Sequence, residues 1–150
     1  MPRPDPAALR PIRVRGLDDT LAAAAAADRL GVPLVLMADW AGGPLWLLGL
    51  LDRARRAHPG LEATALIDCG DRAGEAQGAL AAGVPLLLFT GRADVAVRLA
   101  AIATARGAAL LTRCPPPLDL AAPSLTESGG RRRRDALEAL CRDWLSRPQG

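Results

Sequence analysis

Four short runs of this 150-residue chain are almost continuously apolar rather than alternating: VPLVLM at 32–37, EATALI at 62–67, VPLLLF at 84–89 and GAALL at 107–111. Strands buried on both faces read this way, because neither side of the pleat meets water. They are predicted to be central parallel strands. A fifth, IRVRG at 12–16, alternates Arg with apolar residues, as an edge strand does.

Helical stretches separate these runs. DDTLAAAAAADRLG has acidic residues at its start and a closing Gly31, and Pro44 is placed to begin a helix reaching Ala57. Asp71 is predicted to cap a helix ending at Gly83, a further helix covers 93–106, and Arg131 to Ser146 forms a last one. Residues 112–130 contain Pro115 to Pro117 and read as an irregular connection, since consecutive prolines continue neither helix nor strand ladder. The word GVPLVL at 31 returns as GVPLLL at 83, consistent with an old duplication of a β-α unit.

Strands alternating with helices imply right-handed crossovers and a parallel sheet. The predicted class is a single α/β domain with about five parallel strands, either an open flavodoxin-like layer, the preferred form, or half of a TIM barrel. Its expected divisions are a flexible N-terminus at 1–11, the α/β domain at 12–111, a Pro/Gly-rich connection at 112–130 and a basic C-terminal helix at 131–150.

Composition removes several function classes. All 19 basic residues are Arg, so neither a lysine Schiff base nor a Walker-type phosphate loop is available. His58 is the only histidine, in RRAHPG, where it reads as the cationic end of a helix complementing the dipole. Cys69, Cys114 and Cys141 are odd in number and far apart, which fits a reducing cytoplasm better than a disulfide framework. The wealth of Ala and Arg matches a GC-rich bacterial genome. The longest Leu-rich run, PLWLLGLL, is far short of the ~20 residues of a membrane span. A soluble cytoplasmic protein is expected.

Charge is uneven: residues 1–15 and 131–150 each carry a net +3, and the body between them −3. Basic ends on a domain with three Trp and one Phe do not make the broad basic, aromatic-bearing face that nucleic acid requires. The Arg131 to Arg134 run opens a helix, where positive charge opposes the dipole. It is expected to be solvated or to meet an acidic partner. In the 44–57 helix, Trp46, Leu47, Leu48, Leu50 and Leu51 cover more of the circumference than one sheet can bury, which predicts a homo-oligomer through that helix.

Open parallel sheets carry their ligand sites at the carboxyl ends of the strands. Those ends here are ADWAGGP, DCGDRAG, FTGRAD and TRCPPP. The expected site therefore gathers Asp39, Asp68, Asp71, Thr90, Gly91, Arg92 and Arg113, suited to a cation or a small polar metabolite. In LIDCGD at 66–71, Asp68 is the candidate catalytic residue, since it ends a strand at the place where this architecture carries its chemistry. A structural account of the same stretch makes Asp71 a helix cap, Gly70 a turn, Cys69 a small buried hydrophobe and Asp68 an acceptor for nearby amides.

Residues 65–110, beginning ALIDCGD, resemble the middle of class II, metal-dependent sugar-phosphate aldolases, in which one strand ends in Leu-Asp-His-Gly and the next in an Asp-Gly-Ser-like turn. The resemblance implies that Asp68 exchanges a proton with substrate and that Cys69 stands where the family has a zinc-binding histidine. A full barrel needs ~250 residues, so the chain would be half of one. The chain is also similar to bacterial receiver domains. Asp68 would then be the phosphate acceptor and Thr90 the residue sensing it, while Arg113 and Pro115 stand near the place of the Lys-Pro pair. Three functions follow as expectations: a non-catalytic ligand-binding or regulatory module, an aldolase-like lyase, and a receiver-like signalling domain.

Overall fold

The computed structural model describes residues 5–120 and 131–147. The strands are β1 (Pro11–Arg13), β2 (Leu34–Asp39), β3 (Ala63–Asp68), β4 (Leu86–Leu88), β5 (Ala109–Leu111) and β6 (Leu118–Asp119). The helices are α1 (Leu17–Leu30), α2 (Pro44–Ala57), α3 (Ala73–Ala82), α4 (Ala93–Ala105) and α5 (Arg131–Ser146). Every predicted strand and helix is present, and β6 is an addition inside the segment expected to be irregular. Part of that segment, 121–130, lies outside the described residues, as do 1–4 of the N-terminus, 148–150 and the side chains of Arg131 and Arg132.

The strands form one sheet, all parallel, in the order β5-β4-β3-β2-β1-β6. From β1 to β5 each crossover steps to the next strand in the same direction. With crossovers of one hand, that order puts every connecting helix on one face. Packing agrees. Ile12, Leu36, Ala65, Ile67, Leu87 and Phe89 share one core with buried residues from all five helices. Their neighbours along the strands, Val35, Met37, Leu66, Leu86, Leu88 and Leu111, form a second cluster containing no helical residue. One-sided winding belongs to half of a β/α barrel. A flavodoxin-like or receiver-like layer runs 2-1-3-4-5, with the first strand between the second and third, whereas β2 here pairs directly with β3 from Leu34↔Ala63 to Asp39↔Asp68. Of the two forms open to the sequence, the half barrel is the one found. Nor is β1 an edge, as its alternating Arg had predicted, because β6 covers its outer side.

The helical layer is built for close approach. Ala22, Ala23, Ala24, Ala26 and Ala27 of α1 are buried, and α5 lies against α1 with Leu137, Cys141 and Leu145 as its inward stripe. Positions four apart on a helix share a face, so these three form a single ridge. Each buried Leu contributes roughly 1.5–3 kcal/mol relative to exposure. Asp19 locks the corner: its carboxylate accepts the Arg15 amide at 2.9 Å and meets the Arg133 guanidinium at 3.5 Å. In α2, Leu47, Leu50 and Leu51 are buried, Trp46 and Leu48 pack against the same core, and Leu45 is left 73% exposed. The chain's own core thus takes up most of the apolar excess that predicted an oligomer.

The other face is closed by the chain itself. After β5, at one edge, the backbone must reach β6 at the opposite edge. Six strands laid flat span about 24 Å between outer strands. The seven steps from Leu111 to Leu118 reach at most about 25 Å when fully extended. The chain must also descend, because Leu118 pairs with Ile12 and not with the strand ends. The connection Thr112–Pro117 therefore demands a curled sheet, and Pro115 to Pro117 favour the extended form it needs. Cys114 of this strap and Leu9 from the N-terminal side pack on the concave cluster, whose six residues are only 0–8% exposed.

Candidate functional site

Parallel pairing delivers the strand ends to one rim. Asp39 and Asp68 are register partners on β2 and β3, and the Thr90 amide after β4 donates to the Gly70 carbonyl at 2.8 Å. Asp39, Asp68 and Thr90 therefore share an edge, as predicted. Alternation sends the two acids to the concave side, since their neighbours Ala38 and Ile67 belong to the helix-side core.

Each acid is held. Asp39 Oδ2 takes the Arg13 guanidinium at 2.6 Å and Oδ1 accepts the Ala41 amide at 2.9 Å. The Ala41 amide, with further help from Arg13, holds the Asp39 carboxyl below its ordinary value, although partial burial opposes the shift. Asp68 Oδ1 accepts the Gly70 amide at 2.9 Å, closing the turn after β3. Arg72, which also donates to Glu75, adds positive potential beside Asp39 and Asp68.

An open cleft of about 550 Å³ lies at the β1-β2 end of this rim, lined by Arg13, Arg15, Asp39, Asp119, Trp46 and Gly42 among others. Arg13 of β1 faces Asp119 of β6 in register. Trp46, in the first turn of α2, lies so close over Gly42 that a Cβ there would overlap its ring. The cleft is thus one strand away from the place the sequence favoured: Asp39 lines it, and Asp68 does not.

The remaining predicted residues do not line the cleft. Asp71 is exposed and caps nothing; the cap position of α3 is Arg72, with no side-chain cap bond. The Asp71 cap is therefore corrected to a turn closed by Asp68. Arg92 is exposed and engages Asp94 through two hydrogen bonds, 3.1 and 2.9 Å, at the start of α4. Gly91 is a packing position: a Cβ there would stand 2.5 Å from Cζ of Phe89. Arg113 is exposed on the strap. His58 bonds Asp28 at 3.0 Å where α2 turns toward β3, at the opposite end of the strands from the rim.

Cys69 is fully buried in the helix-side core while Asp68 turns to the concave side, so the pair does not converge on one ion. Burial, reinforced by the nearby Asp68 charge, pushes the Cys69 thiol up to about 12, far from the thiolate that zinc binds. Among the described residues no group of three or more His, Cys, Asp or Glu could hold a metal. The residues present do not fit the zinc site that the aldolase resemblance implies.

Sequence reasoning missed Arg13, Arg15, Asp119 and Trp46 as site residues. The alternation in IRVRG did carry the signal for the first two, since it places Ile12 and Val14 in the core and the arginines opposite.

No family model matches the sequence, and no curated protein does. Among solved structures the chain is similar to a protein from Coccidioides immitis assigned as a fructose-1,6-biphosphate aldolase, with a TM-score of 0.60 and 20% identity. That likeness covers 69% of this chain and 44% of the other. A 4-hydroxy-2-oxoglutarate/2-dehydro-3-deoxyphosphogluconate aldolase overlaps at a TM-score of 0.43 with 28% identity, covering 71% of this chain and 52% of the other, too loosely to argue from. This chain spans less than half the length of the first structure, and the likeness shows the fold alone.

Proposed function

We propose that the protein is a non-catalytic binding module whose small polar ligand occupies the cleft between Arg13 and Trp46. The observation that carries this reading is the Arg13–Asp39 pair, 2.6 Å apart, at the wall of an open cleft on the carboxyl rim of a parallel sheet. Polar groups of that kind fix a ligand's orientation, and a cleft of about 550 Å³ is of small-molecule size. The same contacts argue against proton transfer. General acid–base work needs a carboxyl whose pKa lies near the working pH, and Asp39 is displaced the other way. The chain's single histidine stands at the far end of the strands, and the chain contains no lysine.

A second reading, an aldolase-like lyase with Asp68 as its acid or base, is favoured by the adjacency of Asp39 and Asp68 on a barrel-type sheet. One experiment separates the two. The intact protein is titrated with a panel of polar metabolites while tryptophan fluorescence is followed, and the same mixtures are assayed for aldol cleavage. Binding without turnover, weakened by Asp39→Asn, supports the module. Turnover lost in Asp68→Asn supports the lyase, and binding unaffected by Asp39→Asn sinks the cleft assignment.

A further inference from the structure

The cleft's charges alternate over very short distances. Arg13 has Asp119 as its register partner on β6 and is bonded at 2.6 Å to Asp39 of β2. Adjacent strands lie about 4.8 Å apart, so Asp119 and Arg13 stand side by side, while Asp39, two residues beyond Met37, the register partner of Arg13 on β2, reaches the same guanidinium from further along the rim. Arg15 lies two residues on from Arg13 and also lines the cleft, with Trp46 on the α2 side. A phosphate drawn to Arg13 sits within a strand spacing or so of both carboxylates. A dication drawn to either carboxylate meets an arginine just as closely. A species bearing one positive and one negative group a few ångströms apart finds complementary charge for both.

The pair is also reachable. The Arg13 side chain is 29% exposed and that of Asp39 48%. A guanidinium carries five N–H donors, so the contact with Asp39 leaves others on the same group for a ligand carboxylate. The half-buried Trp46 ring offers an apolar wall beside these charges. We infer that the cleft takes a free zwitterion of the α-amino-acid type, with its ammonium at Asp39 and Asp119, its carboxylate at Arg13 and Arg15, and its apolar part over Trp46. This rests on the reading of the cleft as a binding site and goes further by fixing the charge pattern of the occupant.

Three probes of one shape test it: phenylalanine, 3-phenylpropanoate and phenethylamine, titrated calorimetrically into the intact protein. Phenylalanine is expected to bind at least about tenfold more tightly than either singly charged analogue, the effect of one added charge-assisted contact. In Arg13→Gln phenylalanine should lose its advantage over phenethylamine, while phenethylamine, with the Arg13 charge gone and Asp39 released, should bind at least as tightly as before. Asp39→Asn should do the mirror experiment, lowering phenylalanine to the level of 3-phenylpropanoate. If Arg13→Gln does not fold, Arg15→Gln together with Asp39→Asn carries the same comparison. Equal or tighter binding of either singly charged probe overturns the zwitterion and leaves the cleft standing as a binding site. Absence of binding by all three also overturns the zwitterion, and the metabolite panel then judges the cleft on its own.

Discussion

The two faces of the sheet bury equally apolar residues by different means. On the convex face, Leu36, Ile67 and Leu87 pack under five helices; on the concave face, Val35, Met37, Leu66 and Leu88 lie against Leu9 and Cys114. Both sets are nearly inaccessible to water. Apolar runs therefore report that both faces are covered without reporting what covers them. A sheet with helices on both sides and one with helices on one side and an extended strap on the other have the same strand sequences.

The three thiols give the widest contrast between the faces. Cys69 and Cys141 lie in the helix-side core, and burial followed by nearby acids pushes both up to about 12. Cys114, on the strap, is partly exposed, and burial followed by the Asp68 charge raises it too. A disulfide reagent at pH 8 is expected to modify Cys114 alone in the native protein, with the other two reacting only on unfolding. Reaction of Cys69 at a comparable rate would mean that the helical layer opens as readily as the strap.

Core truncations sharpen the comparison further. Leu87→Ala, beneath the helices and fully buried, is expected to cost about 4 kcal/mol, and Leu86→Ala, facing the strap at 7% exposure, about 2 kcal/mol. Urea denaturation measures both. Equal losses would show that the strap packs as rigidly as the helices do. Gly42→Ala comes next, at about 1–3 kcal/mol, because a methyl there displaces the Trp46 ring. A shifted tryptophan emission maximum would accompany the lower Tm.

Smaller effects belong to the turn after β3. Asp68→Asn is expected to cost about 1 kcal/mol by weakening the bond to the Gly70 amide. Asp71→Ala, which removes no cap, should stay within about 0.5 kcal/mol. The reverse ranking in thermal melts would restore Asp71 as the cap. Asp39 makes a pH-dependent contribution. Its folded carboxyl is held lower than its unfolded one, so its stabilisation is present above the unfolded value and is lost as pH falls through the folded value. Stability measured between pH 5 and pH 2 should fall less steeply in Asp39→Asn than in the parent.

The sequence carried the β-α alternation, the Pro44 start of α2, the sharing of one rim by Asp39 and Asp68, and the burial of Cys69, because these depend on local pattern or on parallel topology. It did not carry β6. Two residues beside a proline run have no periodicity to read, and Leu118–Asp119 is a strand only because Ile12 and Arg13 offer a free side. Missing β6 made β1 an edge and hid Asp119 and the β1-β2 cleft. The Asp71 cap failed for a local reason: an acid three residues earlier already closes the turn through the Gly70 amide, and α3 begins one residue later than a cap at Asp71 requires.

The pairing of β6 with β1 also orders events in time. Four of the five strand pairings join strands consecutive in the chain, and they can form as each β-α unit is completed. The fifth joins Leu118 to Ile12 and closes a loop of nearly the whole domain. Closing a long loop costs chain entropy that local pairings do not. The strap that leads to β6 is also what covers the concave cluster, so the final pairing and the drying of that face are one step. Without that pairing, Val35, Met37, Leu66 and Leu88 lack the cover the strap gives them. An uncovered apolar sheet face favours association, so the strap that ties the two ends of the domain together also guards the face it crosses.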